Sequence, residues 1–269
     1  MIGVFDSGVG GLTVLNHFIQ DLPDYDYIYL GDNARVPYGN KSPETIYTYT
    51  CQAVEFLFSS GCQLVVLACN TASAQALRRI QQEWLPANYP DRRVLGVIRP
   101  LAEAVAKRPV VTRVGVIGTK STISADVYSA EIHKLSPKTK VYSVATPLLV
   151  PLIEENWLNE PETKIILEKY LYPLKVAGVE ALILGCTHYP FLLESIREIM
   201  GKACFVDNPG EIVSRSLVDY ILRHKELGIN PSKNRVYKFY TTDDINKFKE
   251  LGDKFLGFKI SNIDKISLD

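Results

Sequence analysis

Two stretches of this chain end an aliphatic run on a cysteine and continue in small hydrogen-bonding residues: "LVVLACNTAS" at 64–73 and "ALILGCTHYP" at 181–190. A cysteine where a strand gives way to a helix meets unpaired amide N–H groups and the positive end of the helix dipole. Both lower a thiol pKa and favour thiolate. One such thiol suggests covalent catalysis, whereas two at equivalent positions of facing halves suggest acid–base chemistry with two sides. A lone cysteine in a tight turn is often only packed there. The pair is different, because Cys69 is followed by Asn70, Thr71 and Ala72, and Cys186 by Thr187, His188 and Tyr189. Cys69 and Cys186 therefore lead the candidates, and Cys51, Cys62 and Cys204 are expected to be packing residues.

Other groups fall at equivalent places. "FDSGVGG" puts Asp6 and Ser7 at the end of the first strand, ahead of Gly8, Gly10 and Gly11. It is not a dinucleotide fingerprint, because the last glycine of GxGxxG would fall at Thr13 and a carboxylate before the turn repels pyrophosphate. No GxxxxGK[ST] run exists either. Asp6 could instead accept or relay a proton, or cap a helix. His188 is near enough to Cys186 to tune it, and Glu154 in "VPLIEEN" is a weaker candidate. In the turn "RVPYGN", Tyr38 could present a hydroxyl and Gly39 a bare N–H. Thr119 and Thr122 are hydroxyls at the matching strand end of the second half. Hydroxyls and amides with few cations suit a small zwitterion whose carboxylates are held by neutral donors.

The elements that must position these groups read as short aliphatic strands alternating with helices. Strands are expected at 2–5, 26–30, 63–68, 93–97, 113–118, 139–144, 180–184 and 203–206, a βα pattern with parallel sheets buried on both faces. Ligands of open sheets bind beyond the carboxyl ends of the strands, where both cysteines lie. Gly61, Leu67 and Cys69 align with Gly178, Leu184 and Cys186 at one constant spacing, and "IGVFDS" (2–7) echoes "VGVIGT" (114–119). The fold expected is two pseudo-symmetric open-sheet α/β domains, flavodoxin-like and mostly parallel, with the site between them. The first lobe is expected over 1–92, completed by 207–269 crossing back, and the second over 93–206. Near the end of the chain, "KFYTTDDINKFKELGDKFLGFKI" (238–260) reads strand, capped helix, strand, the last strand falling at its end, 258–260.

Composition excludes several classes. The chain has 269 residues, 46% of them hydrophobic, so it can bury a core without staples. Its 30 basic and 30 acidic residues cancel and are interspersed, so no field points at nucleic acid or an anionic membrane. Five cysteines without CxxC spacing argue against a disulfide framework or structural zinc. The opening residues lack a secretory pattern and no apolar run is long enough to span a bilayer, so a cytoplasmic protein without a membrane partner is expected.

"GVFDSGVGGLTVL", "PYG", "ACNTAS", "GTKSTISADVY", "VPLIE" and "GCTHYPFL" run in order from residue 3 to about 192. Together they resemble the glutamate branch of the cofactor-independent aspartate/glutamate racemases. The resemblance implies Cys69 and Cys186 as two bases flanking the α-carbon of glutamate, with Asp6 assisting the first and His188 and Glu154 the second. It implies Ser7, Tyr38, Gly39, Asn70, Thr71, Thr119, Thr122, Thr187 and His188 as substrate contacts, with Asp6 beside them. No pyridoxal phosphate, metal or nicotinamide is implied, the role is supply of D-glutamate for peptidoglycan, and a homodimer is the leaning. Arg99 in "VIRP" and Thr146 in "ATP" depart from the common pattern. A one-cysteine hydrolase using Cys186 and His188, and a non-catalytic amino-acid-binding module, are the competing readings.

Overall fold

The computed structural model describes residues 1–268. Its strands are β1 (Ile2–Asp6), β2 (Tyr27–Gly31), β3 (Leu64–Leu67), β4 (Arg93–Gly96), β5 (Arg113–Gly118), β6 (Lys140–Ala145), β7 (Ala181–Gly185), β8 (Tyr237–Thr241) and β9 (Ile263–Lys265). They form two parallel sheets, ordered β4-β3-β1-β2-β8-β9 and β6-β5-β7. Every residue of β1, β2, β3 and β7 is buried, as strands covered by helices on both faces require. The order β3-β1-β2 is repeated as β7-β5-β6, which makes the two sheets versions of one plan.

Parallel strands end on the same side, and the register decides what emerges together. Phe5 pairs with Leu67, so the residues after β1 lie beside Cys69, and Gly118 pairs with Gly185, so Thr119 lies beside Cys186.

Three boundaries differ from the sequence expectation. β4 hydrogen-bonds along β3, from Leu64 with Arg93 to Leu67 with Gly96, so the first sheet runs past residue 92 rather than stopping there. A short aliphatic strand carries no label for the sheet it joins. The run at 203–206 is not a strand but one parallel bridge, Phe205 to Ala181, because the chain leaves the sheet edge to enter the helix Pro209–Arg223. The last strand is β9 and not 258–260. There Ile260 is buried against Gly252, where an added Cβ would stand 2.4 Å from the isoleucine Cδ1, and the chain pairs only afterwards.

The helix Pro209–Arg223 returns to pack on the helix Leu12–Asp21, with Ser214 Oγ donating to the carbonyl of His17 at 3.1 Å. β8 then adds to β2, and β9 to β8. Among the described residues no helix is long and apolar enough to cross a membrane.

Candidate active site

Cys69 caps the helix Asn70–Gln75, its Sγ accepting from the amide of Ala72 at 3.5 Å and donating to Ser7 Oγ at 3.4 Å. The expectation of a lowered thiol pKa fails here. Burial pushes the Cys69 thiol up to about 12, the nearby Asp6 charge adds to it, and hydrogen bonding with Ser7 and the Ala72 amide offsets only part. A helix of six residues has a weak dipole, and desolvation of a thiolate outweighs it. Asp6 is buried too, and burial raises its carboxyl above the usual value although His188, the Gly8 and Gly11 amides and Thr187 pull the other way. The first half therefore holds its protons tightly.

The second half is built differently. Cys186 Sγ lies 3.9 Å from His188 Nδ1, and His188 Nε2 lies 3.1 Å from Glu154 Oε1. Burial works against charge on His188, but hydrogen bonds and charge from Cys186 and Glu154 outweigh it and hold the imidazole at about 10. Glu154 pays a desolvation cost, yet its bond to His188 brings its carboxyl below the usual range. His188 is thus a cation beside one sulfur, while a carboxyl stands behind the other.

Both sulfurs line one cavity of about 310 Å³. Ser7, Gly39, Asn70, Thr71, Thr119, Thr187, His188 and Glu154 share its wall. Asp6 and Thr122 do not line it. Asp6 sits behind the wall, accepting from the amide of Gly8 at 2.9 Å and from Thr187 Oγ1 at 3.3 Å. Thr122 backs the hydroxyls of Thr71, at 3.1 Å, and Thr119, at 3.0 Å. Tyr38 lines the cavity, but its hydroxyl donates to Asp32, so the residue offers a ligand its backbone rather than the free hydroxyl expected. The hydroxyl of Tyr128 donates to Asn70 Oδ1, leaving the Asn70 NH₂ group for the cavity.

Sequence reasoning missed the function of the glycines. A Cβ on Gly10 would stand 2.3 Å from Thr187 Oγ1 and 2.5 Å from His188 Nδ1, and one on Gly11 2.6 Å from Asp6 Cβ. The glycine turn is needed because the two motifs interlock across the lobes, which Thr13 Oγ1 secures by donating to the carbonyl of Thr187 at 2.9 Å. Spacing within either motif alone gives no sign of this. Also missed were Lys120, which adds an ammonium to the cavity wall, and the apolar wall residues Val150 and Pro147. Of the two departures, Arg99 does not line the cavity and is paired with Glu103 at 2.6 Å and Glu131 at 2.8 Å. Thr146 is fully buried on the cavity wall, 2.6 Å from the Tyr189 hydroxyl. Cys51, Cys62 and Cys204 are buried free thiols off the cavity.

Two α/β lobes each bring a thiol, backed by a carboxyl or an imidazole, to one small cavity, an arrangement of groups that can exchange protons. The chain belongs to the Asp/Glu/Hydantoin racemase family, which matches residues 7–208. It is 42% identical to glutamate racemase of Geobacter metallireducens over 268 residues, covering 100% of this chain and 97% of that one. With glutamate racemase of Neisseria meningitidis serogroup A the identity is 39% over 267 residues, covering 99% and 96%. The crystal structure of glutamate racemase from Francisella tularensis subsp. tularensis in complex with D-glutamate superposes with a TM-score of 0.90 at 37% identity, covering 100% of this chain and 97% of that one.

Proposed function

We infer that the protein interconverts L- and D-glutamate by removing the α-proton with one of Cys69 and Cys186 and returning a different proton from the other, so supplying D-glutamate for peptidoglycan. The observation that carries this reading is the presence of both sulfurs on one cavity of amino-acid size, delivered by repeated elements of two sheets. One sulfur, as thiolate, takes the proton from one face of the α-carbon, and the electron pair stays on carbon. The opposite thiol then gives its proton to the other face, which leaves the protonation states exchanged and the configuration inverted. Asp6 serves the Cys69 side, and His188 with Glu154 the Cys186 side.

The α-proton of an amino acid is weakly acidic, so donors fixed in advance must stabilise the charge that develops on the substrate carboxylate. Asn70, Ser7, Thr71, Thr119 and the Gly39 amide are the groups assigned to that task and to the side-chain carboxylate, with Thr187 and His188 beside Cys186. Low dielectric in a closed cleft strengthens each such bond. The lobes on this reading are 1–97 with 207–268, and 98–206.

Incubating L-glutamate with purified protein and no added cofactor tests the reading. Optical rotation should decay to zero, and a constant rotation with saturable glutamate binding would make the protein a binding module instead.

A further inference from the structure

The proton transfer above leaves the buried carboxylate of Asp32 unused. Asp32, directly after β2, is 0% exposed, and its carboxylate accepts from the Tyr38 hydroxyl, from Arg35 Nε at 2.6 Å and from Thr242 Oγ1 at 2.9 Å. Arg35 is itself tied down, donating to Gln52 Oε1 at 2.6 Å and to the carbonyl of Leu268 at 3.4 Å, with its guanidinium 3.9 Å above the Tyr49 ring. Thr242 also accepts from the amide of Ala34 at 2.9 Å. The cluster therefore draws on the end of β2, the helix Pro43–Ser59 and the C-terminal segment.

What it surrounds is a piece of the cavity. Residues 36–40 all line it, and Gly39 touches the second lobe so closely that a Cβ there would stand 2.8 Å from Thr119 Cβ. That segment has little structure of its own. Tyr38–Asn40 is one turn of 3₁₀ helix without a side-chain cap, and its closing backbone bond runs from the amide of Lys41 to the carbonyl of Tyr38 at 3.1 Å. A 3₁₀ turn has poorer hydrogen-bond geometry than an α-helix, so its place depends on what ties it down. A buried ion pair is a weak source of stability, because desolvation cancels much of the attraction, and its clearer use is to fix one arrangement among several.

We propose that Asp32 and Arg35 are positioning residues that hold Tyr38, and through it the 36–40 segment, where its backbone meets the substrate and Thr119 meets Gly39. The clamp rests on the assignment of this cavity to glutamate. It acts through the Gly39 amide on the hold of the substrate's side-chain carboxylate and not on the proton carriers, since neither residue lies on the cavity wall and the Cys186, His188 and Glu154 side is carried by other elements. Tyr38 reports on the clamp because its hydroxyl is the link between the carboxylate and the segment. The C-terminal residues enter the site in this way without touching a ligand.

Steady-state kinetics of Asp32→Asn, Tyr38→Phe and the double variant, with wild type and thermal melting alongside, test it. KM for glutamate should rise about tenfold in Asp32→Asn and several-fold in Tyr38→Phe, with kcat within about twofold and the pH profile in place. The double variant should be no worse than Asp32→Asn, because both break one link. If Asp32→Asn does not fold, Tyr38→Phe alone decides by the same criterion. Unchanged KM, with or without a lowered melting temperature, or a fall in kcat without a rise in KM, overturns the clamp while wild-type racemisation leaves the site assignment standing. Loss of racemisation in wild type itself overturns both.

Discussion

At the scale of single residues, the two halves of the site differ in how they hold protons. Cys69, at about 12, and Asp6, raised by burial, sit on one side, while His188, at about 10, faces Cys186 on the other. Replacing either sulfur by a poorer acid should therefore stop inversion. Cys69→Ser and Cys186→Ser are each expected to lose racemisation by at least about 10²–10⁴-fold, read by circular dichroism of the amino acid, with glutamate binding kept. The pH dependence has a definite sign. His188 is raised from 6.5 to about 10, so its pairing with Glu154 contributes stability that is complete below about pH 6.5 and is lost as pH rises through about 10. Glu154 is lowered, so its share is present above the usual carboxylate value and lost as pH falls through the lowered one. Wild type should accordingly lose melting temperature between pH 6.5 and 10 more steeply than His188→Asn, and kcat/KM should fall near pH 10. Because the enantiomers have equal free energy in water, that limb must be the same in both directions.

At the scale of elements, the parts that sequence reveals are those whose chemistry is local. The strand-to-helix turns at Cys69 and Cys186 are legible because continuous aliphatics mark buried parallel strands and a small polar run marks the turn. The helix Ile245–Leu256 is legible for the same reason: Asp244 accepts from the amide of Lys247 at 2.7 Å, and Gly257, at φ 74°, ends the helix. Asp244→Ala should cost about 1 kcal/mol in denaturant titration and leave kcat unchanged. What could not be read were partners set by the third dimension. β4 carries no mark of which sheet it joins, and the run at 203–206 has strand composition but pairs at one residue only. The Tyr38 hydroxyl was legible as a group but not as one already committed to Asp32, since that depends on how a turn folds over a strand end. The thiol at Cys69 looked activated because a helix start was visible, whereas the burial that outweighs it was not.

At the scale of the whole molecule, neutral hydrogen bonds and close backbone approach join the lobes near the cavity, and an ion pair of Arg108 with Asp207 at 2.8 Å joins them elsewhere. Gln75 Nε2 donates to the Ser121 carbonyl at 3.0 Å, Thr71 and Thr119 lie 2.9 Å apart, and Thr13 reaches Thr187. Such hydrogen bonds are directional but individually modest, about 0.5–1.5 kcal/mol each. Gly10→Ala wedges a methyl group into this seam at Thr187 and His188, and is expected to reduce kcat/KM by at least tenfold while melting changes by less than removal of a core side chain, roughly 2–5 kcal/mol, would bring. The claim on which all of this depends is that two sulfurs serve opposite faces of one carbon. Its most direct test is the initial rate of deuterium uptake when wild type converts L-glutamate in D₂O. Transfer between two bases places solvent deuterium in the newly formed D-glutamate while the remaining L-glutamate stays protiated. Equal early labelling of both enantiomers, or retention of the original hydrogen in the product, would contradict it.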